Sequence, residues 1–139
     1  MKKIFLTLLT LCFVASYGFC STVNSYDNYG RKMGSYRTNG STTTSYDKYG
    51  RKTGAIKQTS SGYNMYDSYG RKTSTVRKTS TGYTRYDSSG RRTETYRTQL
   101  NGTTNIYDNY GHRTGSYRAD SSGRITKYDS YGRKVGSYR

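Results

Sequence analysis

The sequence predicts an all-β protein built from tandem β-hairpins, and three observations support this prediction. A Tyr-Asp dipeptide recurs six times, at intervals of 20 or 21 residues. A glycine follows each dipeptide at a fixed distance, and the intervening stretches are rich in Thr, Tyr, Ser, Val and Ile, which suit a pleated strand. No apolar stripe of helical period occurs after residue 20. We therefore expect an extended or gently coiled antiparallel meander sheet of about a dozen strands, preceded by an N-terminal signal-peptide helix.

The N-terminal segment has the three-part pattern of a secretory signal peptide. Two lysines precede an apolar run over residues 4–15, and small residues follow that run. The run is shorter than the roughly 20 residues that span a bilayer, which disfavours an uncleaved membrane anchor. We assign residues 1–20 to the signal peptide, with cleavage after Gly18 or after Cys20. The mature segment, residues 21–139, is then expected to be secreted, periplasmic or displayed at the cell surface, with no transmembrane span after cleavage.

The mature segment is expected to consist of six tandem copies of a unit with the pattern Tyr-Asp-x-x-Gly-Arg. The copies start at residues 26, 46, 66, 86, 107 and 128. An aliphatic residue or a tyrosine stands ten positions after the first tyrosine of each copy, and a cation follows it. A repeat of this length indicates one supersecondary unit per copy, packed against its neighbours.

Each unit contains two turn signals. In the first, Asp-x-x-Gly, the aspartate caps the backbone with its side chain and the glycine accepts a positive φ without steric cost. These structural turn residues are Asp27 and Gly30, Asp47 and Gly50, Asp67 and Gly70, Asp87 and Gly90, Asp108 and Gly111, and Asp129 and Gly132. In the second, Asn39-Gly40 and Asn101-Gly102 predict type I′ hairpin turns, and three other units carry Ser-Gly or Thr-Gly at this place.

Tyrosine is expected to form most of the core. The chain has 18 tyrosines, and all but Tyr17 lie after residue 20, where only nine large aliphatic or thioether side chains remain. Those nine are too few to fill the interior of such a domain. We therefore expect the tyrosine rings to stack from repeat to repeat, with their hydroxyl groups at the water edge.

The chain is strongly basic, with 24 lysines and arginines against 8 acidic residues, and this balance favours polyanionic partners. A basic pair follows the glycine of most Asp-x-x-Gly turns, and strands about 4.8 Å apart would align these cations in rows beside tyrosine rings. The candidate polyanion-binding residues are Arg31, Lys32, Arg51, Lys52, Arg71, Lys72, Arg91, Arg92, Arg113, Arg133 and Lys134. The alternative is that these cations protect open sheet edges from aggregation.

The sequence offers no candidate for catalysis, and we expect the protein not to be an enzyme. The Tyr-Asp pair occurs six times, whereas an active site is normally unique. His112, the single histidine, replaces an arginine of the repeat, and Glu94 is interpreted as a surface substitution. Both cysteines lie within residues 1–20. We therefore expect no cofactor and no metal site.

The repeated unit resembles the YD repeat of Rhs-type proteins. The match is close in the segments 82–91 and 123–133, and the combination of motif and period extends over the mature segment. In that family, long arrays of such repeats form a spiralling β-sheet shell that encloses a cargo polypeptide. The resemblance implies hairpin strands and a role in secretion or at the cell surface. Six copies are expected to be too few to close a shell, and no cargo domain is expected, so encapsulation is not carried over.

Three functions remain open from the sequence. The first is an exported, non-enzymatic repeat protein with a structural or interaction role at the cell envelope or outside the cell. The second is a module that binds acidic glycan, lipopolysaccharide or another polyanion through Arg and Lys rows and Tyr faces. The third is a self-assembling fibre subunit, because stacked strands with open edges associate with further copies.

Overall fold

The computed structural model describes residues 21–139, which form twelve β-strands connected by short turns. The strands are β1 (Ser21–Tyr26), β2 (Lys32–Asn39), β3 (Thr42–Asp47), β4 (Lys52–Thr59), β5 (Gly62–Asp67), β6 (Lys72–Thr79), β7 (Gly82–Asp87), β8 (Arg92–Thr98), β9 (Thr104–Asp108), β10 (Arg113–Ala119), β11 (Ile125–Asp129) and β12 (Lys134–Tyr138). Consecutive strands pair antiparallel along the whole array. The prediction of an all-β chain of hairpins is therefore confirmed. The signal-peptide helix expected over residues 1–20 lies outside the described residues.

The sheet closes into a barrel, so the prediction of an extended or gently coiled meander sheet is wrong. β12 pairs with β1, with Ser25 opposite Tyr138. The backbone N–H of Asn24 donates to the carbonyl of Arg139 at 2.8 Å, and the N–H of Arg139 donates back to Asn24 at 3.0 Å. Six repeats thus form a complete ring. Every described strand has a neighbour on both sides.

The seam between the last and the first repeat uses the register that joins consecutive repeats. Between the first two repeats, Tyr36 stands opposite Ser45. At the seam, the equivalent residues Tyr138 and Ser25 stand opposite each other. The first repeat therefore occupies the place that a seventh repeat would take in a spiral, and the array becomes a ring.

A β-bulge in each hairpin that begins with a Tyr-Asp strand curves the sheet and explains the closure. In the first hairpin, Ser25 pairs with Gly34 and Tyr26 pairs with Lys32, so that Met33 is the extra residue. The same register shift occurs in the other five hairpins that begin with a Tyr-Asp strand. A bulge bends its strand and increases the local twist, and regularly spaced bulges allow a sheet to close.

Large side chains fill the barrel interior, and they come both from the strands that follow the Asp-x-x-Gly turns and from the strands that precede them. The position ten residues after the first tyrosine of each repeat is buried in all six repeats, where it is occupied by Tyr36, Ile56, Val76, Tyr96, Tyr117 and Tyr138. Tyr63, Met65, Tyr83, Ile106 and Ile125 from the intervening strands complete this core. The interior is therefore a mixed aromatic and aliphatic core, in which the rings of Tyr63 and Tyr83 lie 6.0 Å apart.

The tyrosines occupy three environments, so the expectation that they form the core is correct for only some of them. Six are buried in the interior: Tyr36, Tyr63, Tyr83, Tyr96, Tyr117 and Tyr138. The six tyrosines of the Tyr-Asp dipeptides lie partly buried on the outer surface: Tyr26, Tyr46, Tyr66, Tyr86, Tyr107 and Tyr128. The five in the Asp-x-x-Gly turns are 71 to 84 % exposed: Tyr29, Tyr49, Tyr69, Tyr110 and Tyr131. The interior of a small barrel is filled by a limited number of side chains, which leaves the remaining rings outside.

The turns at the end of the barrel where β1 begins differ from the type I′ turns predicted there. A type I′ turn needs a positive φ at both central residues, but in residues 21–139 every residue with positive φ is a glycine. Neither Asn39 nor Asn101 has one, so the type I′ assignment is wrong. Gly62 in one of these turns has a φ of +150°, and a Cβ there would overlap the Val76 carbonyl oxygen. The two spacings of 21 residues contain longer turns, closed by backbone hydrogen bonds within 99–103 and 120–124.

Candidate functional site

The six Asp-x-x-Gly turns that follow the repeat tyrosines are hydrogen-bonded units at one end of the barrel, named here the Asp-turn end. In the first repeat, Asp27 Oδ1 accepts hydrogen bonds at 2.9 Å from the backbone N–H groups of Tyr29 and Arg31. Asp27 Oδ2 accepts a third from Nε of Arg31 at 2.7 Å, and Gly30 has a φ of +80°. The other five turns repeat the two backbone contacts. The predicted turn aspartates and glycines therefore lie in six equivalent turns.

These contacts hold the turn carboxylates in their ionised form. The backbone N–H of Arg31 is the largest influence on Asp27 and lowers the pKa of that carboxyl below its ordinary value of 3.8. Backbone hydrogen bonds likewise lower the pKa of Asp47, Asp67, Asp87 and Asp129. At Asp108, burial raises the pKa, but the backbone N–H groups of His112 and Tyr110 outweigh it and the net shift is downward.

The two members of each basic pair have different surroundings in the structure, although the sequence analysis predicted that both lie in rows of cations. The first member folds back onto the aspartate of its own turn with an Nε to Oδ2 distance of 2.7 to 3.0 Å: Arg31, Arg51, Arg71, Arg91 and Arg133. His112 takes this place in the fifth repeat, with Nδ1 3.3 Å from Asp108 Oδ2. The second member begins the following strand and has no carboxylate within ion-pair distance among the described residues: Lys32, Lys52, Lys72, Arg92, Arg113 and Lys134. Most of the first members are therefore neutralised locally, whereas the second members are not.

A belt of cations and tyrosines surrounds the outer surface of the barrel. Arg77 in β6 lies with Cζ 5.2 Å from the ring centroid of Tyr86, which belongs to the next repeat. The other five pairs of this outer belt have cation-to-centroid distances of 5.2 to 5.5 Å: Arg37 with Tyr46, Lys57 with Tyr66, Arg97 with Tyr107, Arg118 with Tyr128, and Arg139 with Tyr26. A cation over an exposed ring contributes about 0.5–1 kcal/mol. The outer belt thus links each repeat to the next, and Arg139 continues it across the seam.

The belt cations also have no carboxylate partner in residues 21–139, because the acidic side chains are engaged elsewhere. All 8 acidic residues of the chain lie in this segment. Six of them cap the turns of the Asp-turn end, and Asp120 caps a seventh Asp-x-x-Gly turn at the opposite end, where it accepts the backbone N–H groups of Ser122 and Arg124. The eighth, Glu94, pairs with Arg85. Positive charge without a compensating carboxylate is therefore concentrated on the outer surface.

A groove with a volume of about 210 Å³ lies on the outer surface between the third and fourth repeats. Lys72 and Arg77 of the third repeat line it together with Tyr86, Asp87 and Ser88 of the fourth. Pockets for drug-sized ligands have volumes of about 300–1,000 Å³. This groove is smaller, and its size fits one ring or one small anionic group.

The residues of this groove recur at every junction between repeats. Thr75 also lines the groove and stands opposite Tyr86 in the strand register. The equivalent register pairs at the other junctions are Ser35 with Tyr46, Ala55 with Tyr66, Thr95 with Tyr107, Ser116 with Tyr128, and Ser137 with Tyr26. We name each such junction an inter-repeat groove. One repeat contributes the second cation of its basic pair, a small residue and a belt cation. The next repeat contributes its first tyrosine and its Asp turn. Arg92, the second cation of its pair, contacts the next repeat directly, because its Nη2 donates to the carbonyl oxygen of Asn109 in the next Asp turn at 3.0 Å.

Glu94 faces the barrel interior, so its interpretation as a surface substitution is wrong. Its Oε2 accepts a hydrogen bond from the hydroxyl of Tyr96 at 2.6 Å and lies 3.2 Å from Nη1 of Arg85. Nε of Arg85 also donates to Oγ of Ser74 at 3.3 Å. Burial, and after it the charge of Glu94, raises the pKa of Tyr96 well above 10.0, so the phenol remains a hydrogen-bond donor. The period-2 pattern of β8 places residue 94 on the same face as residue 96, which was the available signal.

The outer-belt cations were not among the predicted binding residues. Their signal in the sequence is a cation eleven positions after the first tyrosine of each repeat. That spacing alone does not show that the cation reaches the tyrosine of the next repeat, because the contact depends on the strand register. The alternative role of the cations, protection of open sheet edges, has no basis in the described strands, since each has two neighbours.

Neither the remaining structural features nor the comparisons assign this chain to a family. Among residues 21–139, no group of three or more His, Cys, Asp or Glu side chains is arranged to hold a metal ion. The same residues contain no helix with the length and apolarity needed to cross a membrane. No protein-family model matches the sequence, and no curated protein and no solved structure gives a significant match.

Proposed function

We propose that the mature segment is an exported, non-enzymatic interaction protein that binds a polyanionic polymer, such as an acidic glycan or lipopolysaccharide, at the cell envelope or outside the cell. The observation that carries this proposal is the charge of the inter-repeat grooves. Each groove presents two cations without carboxylate partners in the described residues, beside a partly buried tyrosine ring. Such a combination suits an anionic group attached to a flat or ringed unit.

The ring arrangement supports a polymeric ligand. Six grooves, each with two cations, a tyrosine and a turn aspartate, follow each other around the barrel. A polymer with regularly spaced anionic groups contacts several grooves at once, and each further contact forms at a high effective concentration. Weak individual contacts therefore add up to useful affinity without any single deep pocket.

Export is supported by the charge and hydropathy pattern of residues 1–20, as set out above. N-terminal sequencing of protein recovered outside the cytoplasm tests this part of the proposal. We expect the chain to begin directly after Gly18 or Cys20. Recovery of the protein only in the cytoplasm, with Lys2 and Lys3 still present, would contradict export.

The closed sheet disfavours the fibre alternative relative to polymer binding. Strand addition between copies needs an unpaired edge, and each described strand already has two hydrogen-bonded neighbours. A fibre built through strand edges would require the seam between β1 and β12 to open first.

The binding proposal is tested by elution of the protein from an immobilised sulfated glycan over a salt series. One variant changes five belt cations to glutamine: Arg37, Lys57, Arg77, Arg97 and Arg118. The matched control changes five turn arginines to glutamine and has the same net charge: Arg31, Arg51, Arg71, Arg91 and Arg133. We expect the belt variant to elute at much lower salt and its log–log salt slope to fall by about one per lost contact, because each contact releases counterions.

The control variant is expected to keep most of the retention, because each of its arginines is already paired with an aspartate. Circular dichroism checks that both variants remain folded. Equal losses in the two variants would show that net charge alone governs retention, and no retention of the unchanged protein at low salt would exclude polyanion binding.

A further inference from the structure

The inter-repeat groove contains hydrogen-bond acceptors as well as cations. Asp87 lines the groove beside Lys72 and Arg77. Its carboxylate accepts N–H groups of Ser89 and Arg91 at 2.9 Å and Nε of Arg91 at 3.0 Å. A carboxylate offers about four acceptor sites, so about one remains for a further donor.

Two hydroxyl groups add to this mixed character. Ser88 and Thr75 both line the groove. A hydroxyl donates one hydrogen bond and accepts others. Thr75 Oγ1 already donates to Oδ1 of Asn64 at 3.2 Å, so it can accept from a ligand hydroxyl, whereas Ser88 can pair with one in either direction. A ligand with only anionic oxygens leaves the remaining acceptor of Asp87 without a donor.

The local charge of the groove suits an anionic group that contacts two cations at once. Arg91 and Asp87 neutralise each other through their ion pair. Lys72 and Arg77 then remain as the uncompensated cations at the groove. A carboxylate or sulfate between them would be neutralised, while the rest of the ligand must supply hydroxyl donors for Asp87 and Ser88.

The spacing of the grooves also restricts the distance between successive anionic groups of a polymer that occupies several grooves. Neighbouring grooves are two strands apart, which corresponds to roughly 10 Å around the barrel before strand tilt is considered. This distance is comparable with a disaccharide unit of an extended glycan. The volume of about 210 Å³ leaves room in the groove for one sugar ring and not for a longer segment.

We propose, resting on the polyanion binding proposed above, that the inter-repeat grooves select acidic sugars: each takes one uronic-acid or singly sulfated residue of an extended glycan. The acid group lies between the second cation of the basic pair and the belt cation, and sugar hydroxyls donate to the Asp turn. Where the residue after the aspartate is serine, as at Ser68, Ser88 and Ser130, its hydroxyl is a further partner. The phosphodiester backbone of DNA lacks these hydroxyl donors, so the grooves discriminate against it.

The test is a titration of the ¹⁵N-labelled protein, followed by NMR, with two ligands that each carry two negative charges. One is a hyaluronan tetrasaccharide and the other is a thymidine trinucleotide. We expect the tetrasaccharide to shift the amide signals of residues 75–77 and 86–90, with a Kd about five-fold or more below that of the trinucleotide. One added hydrogen bond of about 1 kcal/mol corresponds to this factor.

Three variants identify the groove as the origin of these shifts. Arg77→Gln is expected to abolish the shifts at 86–90 with both ligands. Ser88→Ala is expected to weaken tetrasaccharide binding at this groove about three-fold and to leave the trinucleotide unchanged. Lys78→Gln is the matched control, because it removes the same charge from the next residue, which does not line the groove.

Equal or tighter binding of the trinucleotide would overturn the selection of acidic sugars while leaving polyanion binding intact. Shifts confined to residues outside the grooves, or unaffected by Arg77→Gln, would overturn the assignment of the site. Absence of binding by both ligands, together with no retention on the sulfated-glycan column, would overturn both proposals.

Discussion

Arg85 and Glu94 form a polar pair at interior positions that are mostly small elsewhere in the array. The residue that faces the interior at the place of Glu94 is a glycine or serine in the other repeats: Gly34, Gly54, Ser74, Gly115 and Gly136. Arg85 stands directly opposite Glu94 in the strand register. With side chains that are only 20 and 24 % exposed, the two charges depend on each other and on Tyr96 for compensation.

We predict that the single substitution Glu94→Gln destabilises the barrel by about 1–3 kcal/mol, because it leaves Arg85 partly buried without a carboxylate. The double substitution Arg85→Ser with Glu94→Gly restores the residues found in the first two repeats and is expected to cost less than the sum of the two single changes. Urea denaturation midpoints measure these differences. Additive effects of the two changes would show that the two side chains do not interact.

The Asp-x-x-Gly turn is an element that keeps the same geometry in six sequence contexts. Its hydrogen bonds join residues no more than four positions apart, so it depends little on the rest of the barrel. The carboxylate is the acceptor for three donors, and its protonation would remove charge from all three contacts. The turns therefore connect the stability of the ring to pH.

We predict that the melting temperature falls as the pH is lowered below about 4. The pKa of each turn aspartate is lower in the folded chain than in the unfolded chain, where it is about 3.9. The turns contribute their stabilisation above that unfolded value, and it is lost as the pH falls through the lowered folded value. Calorimetry between pH 2 and pH 7 at constant salt measures this loss.

Asp67→Asn provides the control for the pH prediction. Asparagine retains a side-chain oxygen for the backbone N–H groups of Tyr69 and Arg71 but does not titrate. We expect this variant to be less stable at pH 7 and to lose less stability on acidification than the unchanged protein. A melting temperature that is the same at pH 3 and pH 6 would contradict the role given to the turn carboxylates.

The sequence predicts the elements that depend on local chemistry and misses those that depend on register. Asp27 and Gly30 are recognisable because a four-residue pattern defines the turn. The bulge at Met33 is not recognisable, because it is defined by the pairing of two strands, and the threonine that stands at this place in four of the six repeats is equally suited to a regular strand. The outer-belt contacts and the closure of the sheet follow from that register, and they were therefore missed, whereas the interior position of Glu94 was indicated by the period-2 pattern of β8.

At the scale of the whole molecule, the seam continues the register of the other junctions between repeats over a shorter length, with two paired positions against five or six elsewhere. Asn24 and Arg139 exchange backbone hydrogen bonds there, as consecutive strands do elsewhere. The chain is thus a ring of six units in which the position of the break is set by the polypeptide connection and not by the packing. The outer belt and the core continue across the seam through Arg139 and Tyr138.

We predict that a circular permutant of residues 21–139 keeps the fold. In this permutant a Thr-Asn-Gly linker joins Arg139 to Ser21 and the new termini lie between Ser60 and Ser61. The free energy of unfolding is expected to stay within about 1–2 kcal/mol of the parent value, because one short loop is exchanged for another. Circular dichroism and urea titration measure it. A second permutant, opened between Thr75 and Val76 within β6, is the control and is expected not to fold.

Closure also limits how such an array can change its size. An open solenoid lengthens by copying one unit, and the units already present are not disturbed. In a ring, one more or one fewer unit changes the circumference by two strands, and with it the space that Tyr36, Tyr96 and their counterparts must fill. An in-frame duplication of one unit would therefore require compensating substitutions in all the others. The number of repeats and the identity of the core residues can change only together.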